Sequence, residues 1–290
     1  MRTAVFTVLA LTGFAANSLL CRAALAGGGR LIDAASFTGV RLVSGALMLG
    51  LLLRLRGARY QGGSWSSALA LFAYAAGFSL AYVRIPASVG ALLLFGCVQA
   101  TMLGTGLVRG ERPRPLEWVG LLLALGGLAA LTAPGVTAPD FVGAALMAGA
   151  GVAWGVYSLR GRGSTNPLAA TAQNFLLSVP LALALSAVST VVQGAPHATA
   201  QGLVLAAASG ALSSGVGYSL WYAALPHLTA TRAAIVQLSV PVLAATGGVL
   251  LLGEQVTLRL LGAGTALLCG VLLALAARWR KSLETTTTQR

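Results

Sequence analysis

From Gly163 to Thr231 the chain contains no Asp, Glu, Lys or Arg. A water-exposed surface cannot be built from such a stretch, but the hydrocarbon core of a bilayer, which takes roughly 20 apolar residues per helix, accommodates two spans of it. Similar charge-free runs cover 3–21, 60–83, 85–108, 118–139, 141–159, 233–253 and 260–277, while 34–53 carries a single charge, Arg41. Charged residues make up only 9% of the chain, against about 25% in ordinary soluble domains. The runs are too long and too uniformly apolar for barrel strands, which alternate over about ten residues. The pattern predicts an all-α polytopic membrane protein with ten transmembrane helices, near 3–24, 34–53, 64–83, 86–108, 116–133, 140–159, 168–191, 201–223, 230–252 and 259–278.

The net charge of +13 would suit nucleic acid in a soluble protein. Its distribution argues for a membrane instead. With the N-terminus cytoplasmic, fourteen basic residues fall on the inner side: Arg2, Arg54, Arg56, Arg59, Arg109, Arg112, Arg114, Arg160, Arg162, Arg232, Arg278, Arg280, Lys281 and Arg290. Four fall outside, namely Arg22, Arg30, Arg84 and Arg259, with Arg41 inside a span. The positive-inside rule then places both termini in the cytoplasm, anchors the inner loops on anionic lipid, and leaves no nucleic-acid partner to be expected. A bacterial-type inner membrane is the expected location. Arg2 followed by an apolar run and Ala24-Leu25-Ala26 resembles a cleavable leader, but the internal repeat argues that the first span is retained.

That repeat appears at three places. Gly-Phe-Ala-Ala-Asn-Ser-Leu-Leu-Cys-Arg from position 13 matches Gly-Val-Ala-Trp-Gly-Val-Tyr-Ser-Leu-Arg from 151. Gly-Phe-Ser-Leu-Ala-Tyr from 77 matches Gly-Tyr-Ser-Leu-Trp-Tyr from 217, and Gly110-Glu111 matches Gly253-Glu254. The order is kept, which indicates duplication of a five-span unit. Five is odd, so the second copy is inverted. The organisation expected is residues 1–135 as the first five-helix repeat, 136–281 as the second, and 282–290 as a polar, disordered tail. Inverted repeats are characteristic of secondary transporters, whose substrate site lies near the midplane between the halves.

Ten spans, two five-span repeats and the Gly-Glu pairs closing spans four and nine resemble the EamA group of the drug/metabolite transporter superfamily, over the whole chain to about residue 281. The nearest functional type in that resemblance is the YddG-like amino-acid exporters. It implies export of amino acids or other small metabolites, with spans five and ten at the periphery and the others around a central cavity.

Polar groups inside spans are costly and are therefore candidate sites. Asn17 in span one, Gln99 in span four and Gln237 in span nine can hydrogen-bond a solute, or one another's helices; Gln173 and Asn174 open span seven. Trp154 and Tyr157 stand in span six beside Gly155, the repeat counterpart of Asn17. Tyr74, Phe78 and Tyr82 share one face of span three, and Tyr218, Trp221 and Tyr222 one face of span eight. Symmetry would make Tyr82 and Tyr222 gates at opposite mouths, but for these two the interfacial aromatic belt is the preferred role. Phe78 and Tyr218, a turn deeper, are expected to line the cavity. Arg41 is either a docking charge for an anionic group or, as the preferred structural role, an ion-paired or carbonyl-anchored residue. Pro241 is the hinge candidate in span nine. Glu111 and Glu254 are expected to favour the positive dipole end of the helix that follows each of them.

No cofactor or metal is expected. Cys21, Cys97 and Cys269 are widely spaced in apolar runs, and the two His are isolated. No phosphate-binding Gly-x4-Gly-Lys motif occurs, and no constellation of an enzyme. Every acid falls in a loop, span end or tail, so facilitated movement of solute, or weak proton coupling through a span-end group, is the expected energetics. The partners are a small-molecule substrate, amino acids first, and the lipid bilayer; a monomer suffices. The alternatives are export of drugs or other metabolites, weakened for cations because no carboxylate lies within the membrane, and a non-transporting scaffold or sensor.

Overall fold

The computed structural model describes residues 2–26, 30–108, 110, 115–135, 138–161, 164–228 and 236–288. Among them ten helices form: α1 (Arg2–Leu25), α2 (Ala34–Leu55), α3 (Trp65–Tyr82), α4 (Ala87–Val108), α5 (Pro115–Thr132), α6 (Phe141–Gly161), α7 (Pro167–Gln193), α8 (Ala200–Ala224), α9 (Ser239–Leu252) and α10 (Leu258–Thr288). Seven of them are long and apolar enough to cross a membrane. Leu47, Leu122, Leu183, Leu250 and similar side chains are more than 60% exposed, as the lipid-facing surface of a bundle requires. Helix starts follow from short polar side chains that accept the orphan N–H groups of a first turn. Asp33 caps α2 through Ser36 N (2.8 Å), and Ser64 caps α3 through Ser67 N (3.2 Å). Asn166 caps α7, with Pro167 in its first turn, and Thr199 caps α8.

Two helices depart from regularity. Residues Ser209–Val216 in the middle of α8 form a π-helical segment, which the charge and repeat patterns do not signal. Helix α9 is described from Ser239, after helical residues 236–237 and a turn at Leu238, so Pro241, the hinge candidate, lies in its first turn. Pro180 of α7 lies inside a described helix. Residues 229–235, which the sequence reading assigns to the start of span nine, lie outside the described residues. The helical backbone of α10 continues to Thr288, past Ser282, where composition suggested disorder.

The helices pair in a consistent pattern: α1 with α8 and α9, α6 with α3 and α4, α2 with α7, α4 with α9, and α5 with α10. Helices α5 and α10 pack mainly on each other, with slighter contacts to α4, matching the expected periphery. Their contact is a backbone approach made by small residues. A Cβ on Gly120 would lie 2.6 Å from Gly270 O and from Ala274 N, and one on Gly127 would lie 2.7 Å from Ala263 O and from Leu267 N. The ridge on α10 therefore runs through Ala263, Leu267, Gly270 and Ala274. Gly262, two turns before Gly270, faces open space, because 3.6 residues per turn drift from an i+4 row.

The sign of a glycine-to-alanine change should reverse between adjacent positions of α5. Gly126→Ala, where nothing lies within 4 Å of the new Cβ, should stabilise by up to about 1 kcal/mol through helix propensity. Gly127→Ala should destabilise by about 1–3 kcal/mol through overpacking against α10. Thermal unfolding of the two purified variants in one detergent checks this.

Candidate functional site

Between the helices lies a cavity of about 670 Å³. Of the residues singled out from the sequence, Asn17, Phe78, Gln99, Trp154, Tyr157, Tyr218, Tyr222 and Gln237 all line it. They come from α1, α3, α4, α6 and α8 and from the segment just before α9. Trp154 is the hub of the aromatic wall. Its ring stacks on Tyr218 (centroids 5.4 Å apart, 20° between planes) and meets Tyr74 at 4.8 Å and Tyr157 at 5.4 Å. Phe14, which the sequence reading did not single out, continues the wall to Tyr218 (5.6 Å) and Trp221 (6.0 Å). Rings in tilted and offset contact each gain about 0.5–1.5 kcal/mol beyond burial, so the wall is stiff as well as apolar. Among the described lining residues there is no Asp, Glu or His, and the one formal charge is Arg160.

One end of the cavity reaches the connections that follow α2, α6 and α8, where Gly62, Ser164 and Leu228 line it together with Arg160. Amide groups build this mouth. Gln173 Oε1 accepts from Gly63 N (3.0 Å) and Asn174 Oδ1 from Ser64 N (2.9 Å). The amides at the start of span seven thus hold the α2–α3 connection, while Asn174 also lines the cavity. Tyr222 is half-buried here and its hydroxyl accepts from Thr171 Oγ1 at 3.2 Å. Arg160 donates to Ser67 (3.2 Å) and Ser66 of α3.

The opposite end is closed by polar contacts between the first and second halves of the chain. Glu254 accepts from Ala87 N, from Ser88 N (3.0 Å) and from Ser88 Oγ (2.8 Å). Arg22 donates to Tyr82 O (2.7 Å) and lies 3.9 Å from the Glu254 carboxylate. Gly253 makes this possible. Its φ of 67° turns the chain back at the end of α9, with Glu254 N bonded to Gly248 O. Glu254 therefore sits at a helix N-terminus, as an acid should, but the helix is α4 and not the α10 that follows it. The reason is that α9 lies against α4. Glu111 lies outside the described residues. Beside this closure the α1–α2 and α7–α8 connections pair through Asp33 N to His197 O (2.8 Å) and Thr199 N to Leu31 O (2.7 Å).

Tyr82 belongs to the closure and not to the cavity lining. It is fully buried, its ring lies against Gly90 where any Cβ would collide with it, and its hydroxyl approaches Ala87 O at 3.4 Å. That burial also removes it from an interfacial belt. Arg41 is buried without a carboxylate or carbonyl partner among the described residues, correcting the preferred structural role. Its Nη2 donates to Tyr74 Oη at 3.0 Å, and its guanidinium carbon lies 5.1 Å from the Tyr74 ring centroid and 4.9 Å from that of Phe78. Asn17 donates to the same Tyr74 oxygen (3.3 Å) and accepts from Ser209 in the π segment (2.6 Å). Ser213 and Ser214 of that segment line the cavity. The sequence carries only one hint of this segment, its run of Ser and Gly within an apolar span.

A bundle of apolar helices around a central solute-sized cavity, closed at one end by the Arg22, Tyr82 and Glu254 contacts, has the architecture of a polytopic membrane transporter of small molecules. The chain belongs to the EamA-like transporter family, whose family model matches residues 141–276, and so to the drug/metabolite transporter superfamily. It is 54% identical over 279 residues to an uncharacterized protein of Pseudomonas aeruginosa, spanning 96% of each chain. One solved crystal structure shares the fold with a TM-score of 0.66 at 18% identity, covering 94% of this chain and 97% of that one.

Cys21, one residue before Arg22 and fully buried, reports on the seal. With Cys97 and Cys269 replaced by Ala, labelling of Cys21 by a membrane-impermeant thiol reagent should be slow. Adding Glu254→Ala should speed it at least fivefold, because α4 loses the acceptor for its first N–H groups. Labelling rates in right-side-out vesicles, compared between the two backgrounds, test this.

Proposed function

We infer that the protein exports small metabolites, amino acids first among them, from the cytoplasm by alternating access through the central cavity. The observation that carries this reading is the cavity wall itself. Rings of Phe14, Tyr74, Phe78, Trp154, Tyr218 and Trp221 alternate with the amides of Asn17, Gln99, Asn174 and Gln237. Such a wall accommodates a variable apolar or aromatic side chain and hydrogen-bonds a polar backbone end. An exporter of hydrophobic cations is the weaker reading, because the lining holds no carboxylate to balance a cation.

Two features support alternating access. Helix pairs α3–α6 and α8–α1, α4–α6 and α9–α1, and α3–α7 and α8–α2 exchange with one another when residues 1–135 are swapped with 136–281. That is the pattern expected of two repeats. Tyr82 and Tyr222 hold matching places in those repeats, yet one is sealed and the other lines the open mouth. With the basic loops inside, as the charge distribution argues, the open mouth faces the cytoplasm. The state described is then inward-open, and Arg22, Tyr82 and Glu254 form the outer closure. With no acid or histidine among the described lining residues, movement down the solute gradient is the energetics that fits this reading.

Uptake of a labelled amino-acid panel into liposomes holding the purified protein, without an ion gradient, tests the reading. Saturable flux competed by unlabelled solute is expected. Trp154→Ala should lower it about tenfold, since the hub of the aromatic wall is lost. Absence of flux for every amino acid, with and without a pH gradient and with folded protein, would overturn the substrate assignment. Flux that appears only under a pH gradient would overturn the energetics alone.

A further inference from the structure

Arg41 is the largest fully buried side chain of the molecule, with 1% of its surface exposed. Its Nε and Nη1 atoms are buried and have no hydrogen-bond partner among the described residues. Its observed contacts are the Tyr74 hydroxyl and the ring faces of Tyr74 and Phe78, none of them an anion. A guanidinium carries five N–H donors and always its charge. Leaving it in the interior of a membrane bundle without an anion is expensive, and two ring faces recover only part of that cost. The arrangement is therefore incomplete as a purely structural one.

The geometry says where the missing anion would come from. The guanidinium lies directly behind Tyr74 and Phe78, and both of those residues line the cavity. Tyr74 Oη receives one hydrogen bond from Arg41 Nη2 and a second from Asn17 Nδ2. A phenolic oxygen has two acceptor positions and one proton. With both acceptor positions occupied, the proton of Tyr74 is the group's remaining contribution, and no protein acceptor takes it among the described residues. Asn17 is in turn held by Ser209, whose hydroxyl donates to Asn17 Oδ1. The phenol is thus oriented by two donors, one of them cationic, and each polarises its O–H.

We propose that Arg41, Tyr74 and Asn17 form the subsite that receives the carboxylate of the transported solute, at the end of the cavity away from the open mouth. This deepens the export reading above and rests on it for the identity of the cavity as the transport site. Tyr74 donates directly to the carboxylate. Arg41 supplies the uncompensated positive charge one ring-layer behind, which attracts an anion strongly across a low-dielectric wall. Arg160, at the mouth, adds a second positive charge on the path inward. The remaining lining, aromatic and amide, meets the rest of the solute. The class selected is a monocarboxylate with an apolar or aromatic body, with or without an amino group.

Four probes of one shape separate the possibilities: phenylalanine, 3-phenylpropionate, phenylalaninamide and phenethylamine. Binding to the full chain in detergent is read from quenching of tryptophan fluorescence, to which Trp154 and Trp221 report. The two carboxylates should bind at least tenfold more tightly than the amide and the amine. Arg41→Gln should weaken the carboxylates at least tenfold and leave the amide and amine where they were. Arg41→Lys, which keeps the charge, should recover part of the loss, and Tyr74→Phe should weaken the carboxylates severalfold without changing cooperative thermal unfolding. Equal binding of phenylalanine and its amide would overturn the subsite while leaving an amino-acid carrier. Tight binding of 3-phenylpropionate with none of phenylalanine would support the subsite and overturn the amino-acid reading. Uniform weakening of all four probes by Arg41→Gln would reduce Arg41 to a structural role, and failure of all four to bind folded protein would overturn both readings.

Discussion

The carboxylate of Glu254 decides whether the central space of this molecule is a cavity or a channel. It sits at the N-terminus of α4, takes the first N–H groups and the Ser88 hydroxyl of that helix, and faces Arg22. A helix end in a membrane bundle has four orphan donors and little water to satisfy them. By serving as the acceptor, Glu254 binds the end of α9 to the start of α4, and so binds the second half of the chain to the first. Everything on the closed side depends on this. Tyr82 is buried because α3 and α4 are drawn together against Gly90, and Arg22 is oriented because both its acceptors belong to the same cluster. Such a contact is strong where water is excluded and weak where water enters. Its strength therefore depends on water being kept from this end of the bundle.

The fold was largely legible in the sequence because the bilayer imposes a simple rule. Lipid-facing helices need long apolar runs, and the breaks between runs fall at the polar caps Asp33, Ser64, Asn166 and Thr199. The positions of cavity residues were legible too. A polar or aromatic side chain inside an apolar span has few places to go, and Asn17, Gln99, Trp154, Tyr218 and Gln237 all reached the same space. What a single helix pattern does not carry is partnership between helices. Glu254 reads as the neighbour of α10 in sequence and belongs to α4 in space. Arg41 reads as half of an ion pair, yet its partners are a phenol and two rings on α3. Tyr82 and Tyr222 look equivalent in sequence, yet one is buried against Gly90 and the other lines the cavity.

The π segment Ser209–Val216 explains how the wall behind the cavity is assembled. Regular α-helix would place each carbonyl in a bond to the fourth residue on; a π turn widens the coil and shifts the register by one residue. Here the Ser214 hydroxyl donates to Ser209 O, five residues back, while Ser209 turns its own hydroxyl to Asn17. The same segment lets α2 approach closely: a Cβ on Gly210 would collide with Arg41 O and Ser44 Oγ. Helix α2 is thus pressed against α8 at the residue whose side chain extends to Tyr74 on α3. A guanidinium stem needs firm backbone support if its head is to be held behind an aromatic wall, and the absent side chain at position 210 provides the room for that support.

These pieces impose a direction on the cavity. Its mouth is built from hydroxyls, amides and Arg160 at helix ends, groups that water can solvate. Its far end is built from Arg41, Tyr74, Asn17 and Ser209, which are all buried and which hold one another in a fixed arrangement. Beyond them lie Cys21 and then the Arg22–Glu254 closure. A solute that enters by the mouth and reaches the far end replaces no protein anion, since none is there among the described residues. It meets an existing excess of positive charge in a setting where charge is costly. Binding at that end therefore changes the electrostatic balance next to the closure more than binding anywhere else in the cavity would. A closure made of one carboxylate, one guanidinium and a helix N-terminus is the kind of contact that such a change can bias.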